Sequence, residues 1–187
     1  MTQVARVNYD DVRDLPRNGL RREVMEGELF VSATPTDWHQ IVVKNMGRLV
    51  DMHMLSFARG ERPGRTFIAP MGLVLEPRDG VEPDFMYVSR DRAELKPSFA
   101  REVLVAPDWV VEVLSPSTAK RDQTIKFEYY KRHDVSEYWL VDPRSQRITV
   151  FDFAAATEQV FKLDESIRVS SLPNFEIAVA DVFDPLD

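Results

Sequence analysis

Two acids stand where the surrounding sequence does not favour them. Glu112 interrupts Trp109-Val110-Val111-Glu112-Val113-Leu114, a continuous apolar run of the kind found in strands buried on both faces. Strand alternation puts Glu112 on the same face as Val110 and Leu114. An ionised carboxylate in that position is costly unless a cation or several donors replace the lost water. Asp84 opens a second strand-like run, Asp84-Phe85-Met86-Tyr87-Val88, directly after Glu82-Pro83. Proline is tolerated at a strand's first position. Taken singly, Glu112 reads as half of a buried ion pair and Asp84 as a turn carboxylate. On consecutive strands they carry more meaning, because two carboxylates brought close repel unless a proton or metal lies between them. Mg²⁺ takes one or two carboxylates together with waters and substrate phosphates.

The next stretch, Ser117 to His133, is polar, helix-favouring and free of Gly and Pro, with Ser117 or Thr118 able to cap it after Pro116. Helical spacing places Lys126 on one stripe with Ala119, Gln123, Tyr130 and His133. The window Lys120–Arg132 holds five basic residues against two acidic ones, in a chain whose net charge is −7. A solvated face with Asp122–Lys126 as an ordinary i,i+4 pair competes with a functional reading, and for Lys126 the two are evenly matched. No HExxH, EF-hand loop, GxxxxGK[ST] or GxGxxG is present. With no cysteine, disulfides, thiolate chemistry and sulfur-based zinc sites are excluded. His39, His53 and His133 lack zinc-ligand spacing.

These side chains need a scaffold. A length of 187 residues with 44 % hydrophobic content suits one domain with a sizeable core. EVMEGELFVS reads as a hairpin turning at Gly27. Apolar residues from Trp38 to Phe57, at three- and four-residue steps, predict a helix over about 36–58, capped by Thr34 or Thr36. TFIAP with MGLVLE, then DFMYVS and DWVVEVLS, read as antiparallel neighbours. A strand, the 117–133 helix and the strand EYWLVD make a βαβ crossover, so DWVVEVLS and EYWLVD run parallel. RITVFDF and EQVFKL predict a hairpin, and IRVSS with FEIAVAD a last pair. The expected fold is α+β (mixed α/β), with core order helix, three strands, helix, strand and further β-strands at both ends. The opening residues MTQVARVNYDDVRDLPRNGL hold no signal-like apolar stretch and no run suits a membrane span, which predicts a cytoplasmic protein. The acidic balance argues against coating nucleic acid by bulk charge.

APDWVVEVLSPSTAKRDQTIKFEYYKRHDVSEYWLVDP, with EPDFMYVSRDR upstream and REVMEGELF near the start, resembles the Uma-two family, bacterial endonuclease-like proteins assigned to the PD-(D/E)XK nuclease superfamily. The likeness runs from about Arg22 to Asp184. It implies a restriction-endonuclease-like core over about 22–153 and a C-terminal β extension over about 154–187 of one domain, 1–187. It implies that Pro83-Asp84 and Glu112 are the acids that hold Mg²⁺ or Mn²⁺, with the Val113 carbonyl completing the coordination. The superfamily's usual lysine position is Leu114 here, and the family's lysine falls on Lys126, which the resemblance implies is catalytic, orienting the attacking water or stabilising charge on the phosphate. Tyr130 and His39 match a tyrosine and a histidine of the family, and Glu23 matches an amino-terminal acid of auxiliary catalytic role. Asp134 replaces the family's Gly, Ser136 its Pro and Arg22 its Tyr.

The resemblance thus implies a metal-dependent endonuclease cutting DNA. Lys120, Arg121, Lys131 and Arg132, with Arg59, Arg62 and Arg65, are the expected contacts to the DNA backbone. A homodimer would suit cutting of both strands. The rival readings are a catalytically silent nuclease fold that binds nucleic acid or protein, and a hydrolase of another phosphate ester.

Overall fold

The computed structural model describes residues 6–16, 19–95 and 102–185. A short helix α1 (Tyr9–Val12) leads into the hairpin β1 (Arg21–Met25) and β2 (Glu28–Ser32). Glu26 and Gly27 at its tip both have positive φ, 56° and 80°, as a two-residue type I′ turn requires. Helix α2 (Asp37–Leu55) follows, with Thr36 as the N-cap whose side chain accepts from the His39 N–H. Val42, Met46 and Val50, one helical stripe, are fully buried. Then come β3 (Gly64–Ile68), β4 (Gly72–Glu76), β5 (Asp79–Val81), β6 (Phe85–Ser89), α3 (Arg90–Leu95), β7 (Glu102–Val103) and β8 (Trp109–Val113). A crossover helix α4 over 119–132 leads to β9 (Glu137–Asp142), β10 (Arg147–Asp152), β11 (Thr157–Phe161), β12 (Ser166–Arg168), β13 (Glu176–Ala178) and α5 (Val179–Val182).

The strands form a six-stranded sheet ordered β11-β10-β9-β8-β6-β3, a five-stranded sheet ordered β2-β1-β5-β4-β7, and the pair β12-β13. The fold is α+β, with the expected core order α2, β3, β6, β8, α4, β9. The parallel β8–β9 pairing sets Glu112 opposite Leu140. The antiparallel β6–β8 pairing sets Phe85 opposite Val111. One step further along that register brings Asp84 opposite Glu112, where facing Cβ atoms lie about 5 Å apart. Strand alternation then divides the core. Trp109, Val111 and Val113 pack with α2 and the C-terminal strands on one face. Val110 packs with Tyr129, Tyr130, Tyr138 and the second sheet's Met25 and Leu73 on the other.

One expected pairing fails. β3 and β4 do not pair with each other: β3 runs antiparallel to β6, while β4 joins the other sheet beside β5 and β7. The chain between them crosses from one sheet to the other. The two runs have similar apolar content, so pattern alone gave no reason to separate them. Helix α4 also departs from a regular helix. Asp122–Lys126 is a single π turn between the α segments Ala119–Arg121 and Phe127–Arg132. The wider turn carries Asp122 and Lys126 inward together, and both are buried. The helix ends before Asp134, whose φ of 59° is the left-handed conformation expected where the family has Gly.

Candidate active site

Four elements aim charged side chains at one point on the seam between the two sheets. Strand β1 contributes Arg21 and Glu23, two residues apart and therefore on one face. The approach to β6 contributes Asp84, β8 contributes Glu112, and the π turn of α4 contributes Lys126. Glu23, Glu112 and Lys126 are at most 1 % exposed and Asp84 2 %. The Lys126 ammonium donates to Glu112 Oε1 at 2.7 Å and stands 2.7 Å from Glu23 Oε1 and 3.9 Å from Asp122 Oδ1. The Tyr130 hydroxyl donates to the same Glu112 Oε1 at 2.7 Å. Glu23 Oε1 also accepts from the Glu82 N–H at 2.9 Å, and its Oε2 faces the Arg121 guanidinium at 2.9 Å.

Asp84 is held as tightly. Its Oδ2 accepts from the Val113 N–H at 2.8 Å and meets His39 Nε2 at 3.0 Å, while Oδ1 accepts from Arg21. Arg21 also stands 3.9 Å from Glu112 Oε2. Electrostatics separate the two acids. Burial works against ionised Asp84, but Arg21 and His39 hold its carboxyl well below the usual range. Burial, with Asp84, Asp122 and Glu23 close by, pushes Glu112 up to about 8 against the pull of Lys126. Glu23 is lowered, because Lys126, Arg121 and Arg21 outweigh its burial. Lys126 is raised, because Glu112, Glu23 and Asp122 outweigh its own desolvation.

Asp84 and Glu112 open onto a cavity of about 440 Å³, also lined by Arg21, His39, Ser115 and Thr118. Its wall is shared with a second cavity of about 510 Å³ that runs along α2 past Lys44 and Arg48. That one adjoins a third, about 690 Å³, lined by Arg62, Arg65 and Arg90. Lys126 lines none of the three and reaches the site from behind Glu112.

The sequence-predicted residues thus fall into two groups. Asp84, Glu112, Lys126, Glu23, Tyr130 and His39 converge. The basic residues of α4 do not act as one face. Arg121 corrects the expectation: its side chain is 10 % exposed and turned inward onto Glu23 and Ser32, so it is not available to a DNA backbone. Arg132 pairs with Glu26 and Glu76, and Lys131 lies over the Phe127 ring. They lie about 16–18 Å along the axis from Lys120, which is exposed at the end nearer the cavity. Arg21, which joins the two acids, was not foreseen. Its signal was available: a basic residue two positions before Glu23 shares its strand face.

A divalent cation fits the donor set on chemical grounds. The cavity is lined by the carboxylates Asp84, Glu112 and Glu82 and by no sulfur, and one or two carboxylates plus water and phosphate oxygens suit Mg²⁺. Among the described residues no cluster of three or more acidic or histidine side chains could hold a metal by itself. Among them, too, no helix is long and apolar enough to cross a membrane.

Comparison with known proteins agrees with the fold. The chain is 27 % identical over 133 residues to the uncharacterized protein sll1609 of Synechocystis, covering 68 % of this chain and 70 % of that one. The crystal structure of a "putative nuclease belonging to DUF820" from Anabaena variabilis superposes with a TM-score of 0.78 at 22 % identity, over 95 % of this chain and 97 % of that one. The model of the Uma2 family, described as "Putative restriction endonuclease", matches residues 9–180, and the chain belongs to that family.

Proposed function

We propose that the protein is a Mg²⁺- or Mn²⁺-dependent endonuclease that hydrolyses DNA phosphodiester bonds. The observation that carries this reading is the convergence of Asp84 and Glu112 in the wall of one cavity, each held by buried donors that fix its orientation. A bound divalent ion would be held by these two carboxylates; it would polarise the phosphate and lower the pKa of an attacking water. The protein's own groups divide the remaining work. Lys126 and Tyr130 hold Glu112 by Oε1, so that Oε2 is presented to the cavity. The Val113 N–H and His39 hold Asp84 by Oδ2 in the same way. Lys126 is therefore a positioning residue here, and Glu23 anchors its ammonium. Arg21 and His39, on the cavity wall, are the groups placed to bind a non-bridging phosphate oxygen.

The substrate path supported by charge runs along α2 and β3, past Lys44, Arg48, Arg62 and Arg65. Contacts of that kind position a backbone without reading its sequence. The test is cleavage of plasmid and single-stranded DNA with Mg²⁺ or Mn²⁺ by wild type, Asp84→Asn and Glu112→Gln. Wild type should cut and both variants should fall at least a hundredfold. A wild type inactive on every substrate and binding no divalent ion by calorimetry overturns the reading.

A further inference from the structure

The oxygens of the two acids are not equivalent. Asp84 Oδ2 is taken by the Val113 N–H and His39, and Glu112 Oε1 by Lys126 and Tyr130. The remaining two, Asp84 Oδ1 and Glu112 Oε2, both face the Arg21 guanidinium. They are also the oxygens left to ligate an ion, so Arg21 and a divalent cation call on the same pair. We propose that Arg21 is the internal counter-ion of this pair, that a divalent cation must displace it, and that a substrate phosphate draws it away. Metal and phosphate would then bind cooperatively. The proposal rests on the metal-dependent reading above.

Geometry supports displacement over addition. Lys126 and Arg121 have their own buried partners among Glu23, Glu112 and Asp122, which leaves Arg21 as the cation set on the two free oxygens. An added divalent ion would leave Arg21 and the metal as like charges sharing two oxygens, which is repulsive in a desolvated site. The displaced guanidinium has a destination. Arg21 lines both the 440 Å³ site and the adjoining 510 Å³ cavity along α2, and its side chain is 16 % exposed. A phosphate there would offer it the bidentate partner that its planar fork prefers. Each ligand then lowers the cost of binding the other, and the coupling is reciprocal.

The test is calorimetric titration of Mn²⁺ into wild type and Arg21→Gln, each with and without a duplex whose linkages are phosphorothioate. Expected results are at least tenfold tighter Mn²⁺ binding by Arg21→Gln without duplex, and a tightening by duplex at least fivefold greater in wild type than in Arg21→Gln. Ion binding by Arg21→Gln but not by wild type supports the proposal in its strongest form. Equal or weaker binding by the variant, or equal tightening by duplex in both proteins, overturns it while leaving the metal reading intact. Absence of binding in both proteins overturns the metal reading and the proposal with it. Should Arg21→Gln fold poorly, the Arg21 Nε–H resonance of wild type provides the second measurement. It should shift on Mg²⁺ addition, and a resonance unmoved while Mg²⁺ binds rejects displacement.

Discussion

Replacing Lys126 with Met tests whether the buried charge network holds Glu112 in place. The ammonium is fully buried and stands 2.7 Å from Glu23 Oε1, 2.7 Å from Glu112 Oε1 and 3.9 Å from Asp122 Oδ1. Removing one partner of a buried ion pair costs about 3–5 kcal/mol. Two features of the site favour the lower end. Arg121 remains on Glu23, and Glu112, already pushed up to about 8 by burial, can keep a proton near neutral pH. A loss of about 3 kcal/mol corresponds to a melting temperature lower by roughly 6–12 °C for a domain of this size. Glu112→Gln keeps an amide oxygen for Lys126 and Tyr130 and should cost about 1–2 kcal/mol. The double variant should cost less than the sum of the two by about 1.5 kcal/mol, since Lys126 and Glu112 share one network. Urea unfolding of the four proteins in EDTA measures this. A loss below about 1 kcal/mol for Lys126→Met, or additivity within about 0.5 kcal/mol, refutes the coupling.

Metal-free stability should fall as pH rises from about 5 to 8.5. The folded Glu112 carboxyl, near 8, binds its proton more strongly than in the unfolded chain, so the folded state holds the extra proton across that window. Its share of the slope, at most about 1.4 kcal/mol per pH unit, should vanish in Glu112→Gln, as urea unfolding at several pH values would show. Gly64→Ala places a Cβ 2.3 Å from the Val88 carbonyl oxygen, which backbone pairing cannot easily yield, so β3 should detach or shift. A loss of about 1–3 kcal/mol in thermal unfolding is expected, and an unchanged melting temperature contradicts the close approach. Asp134→Gly removes a side chain from a left-handed residue with φ of 59° and should raise stability by about 0.5–1 kcal/mol, with a loss of stability as the contrary result.

Much of the scaffold was legible because its signals are local. Apolar spacing marks α2 to within a few residues, and Gly27 marks the β1–β2 turn. The continuous apolar run of β8 announces a strand buried on both faces, and it makes Glu112 conspicuous. What pattern could not supply was the partition of strands between two sheets. TFIAP and MGLVLE look alike in sequence, yet β3 and β4 lie in different sheets because their partners β6 and β5 are distant in sequence. The π turn was equally hidden, since DQTIK carries no Gly or Pro to mark it, and it brings Asp122 and Lys126 to one buried face. Arg121 was misjudged for a related reason. In a helix a basic residue reads as solvated by default, and only the buried carboxylate of Glu23 across the seam draws it inward.

The charge of the chain bears on substrate binding only through where the charges stand. The acids that make the formal charge −7 include Glu23, Asp84, Glu112 and Asp122, all of them buried and answered inside the fold. The groove leading from the site carries Lys44, Arg48, Arg62, Arg65 and Arg90 against Asp51 and Glu94. A backbone lying there meets a positive surface although the molecule as a whole is negative. With so few cations, the number of counter-ions released on binding is small, and the slope of log affinity against log salt should stay shallower than about −5. Such a protein would hold its substrate at one place and rely on the ion and Arg21 for the rest. On the proposed reading, the exchange of Arg21 for metal at Asp84 Oδ1 and Glu112 Oε2 would be the point at which a negatively charged protein admits a polyanion without coating it.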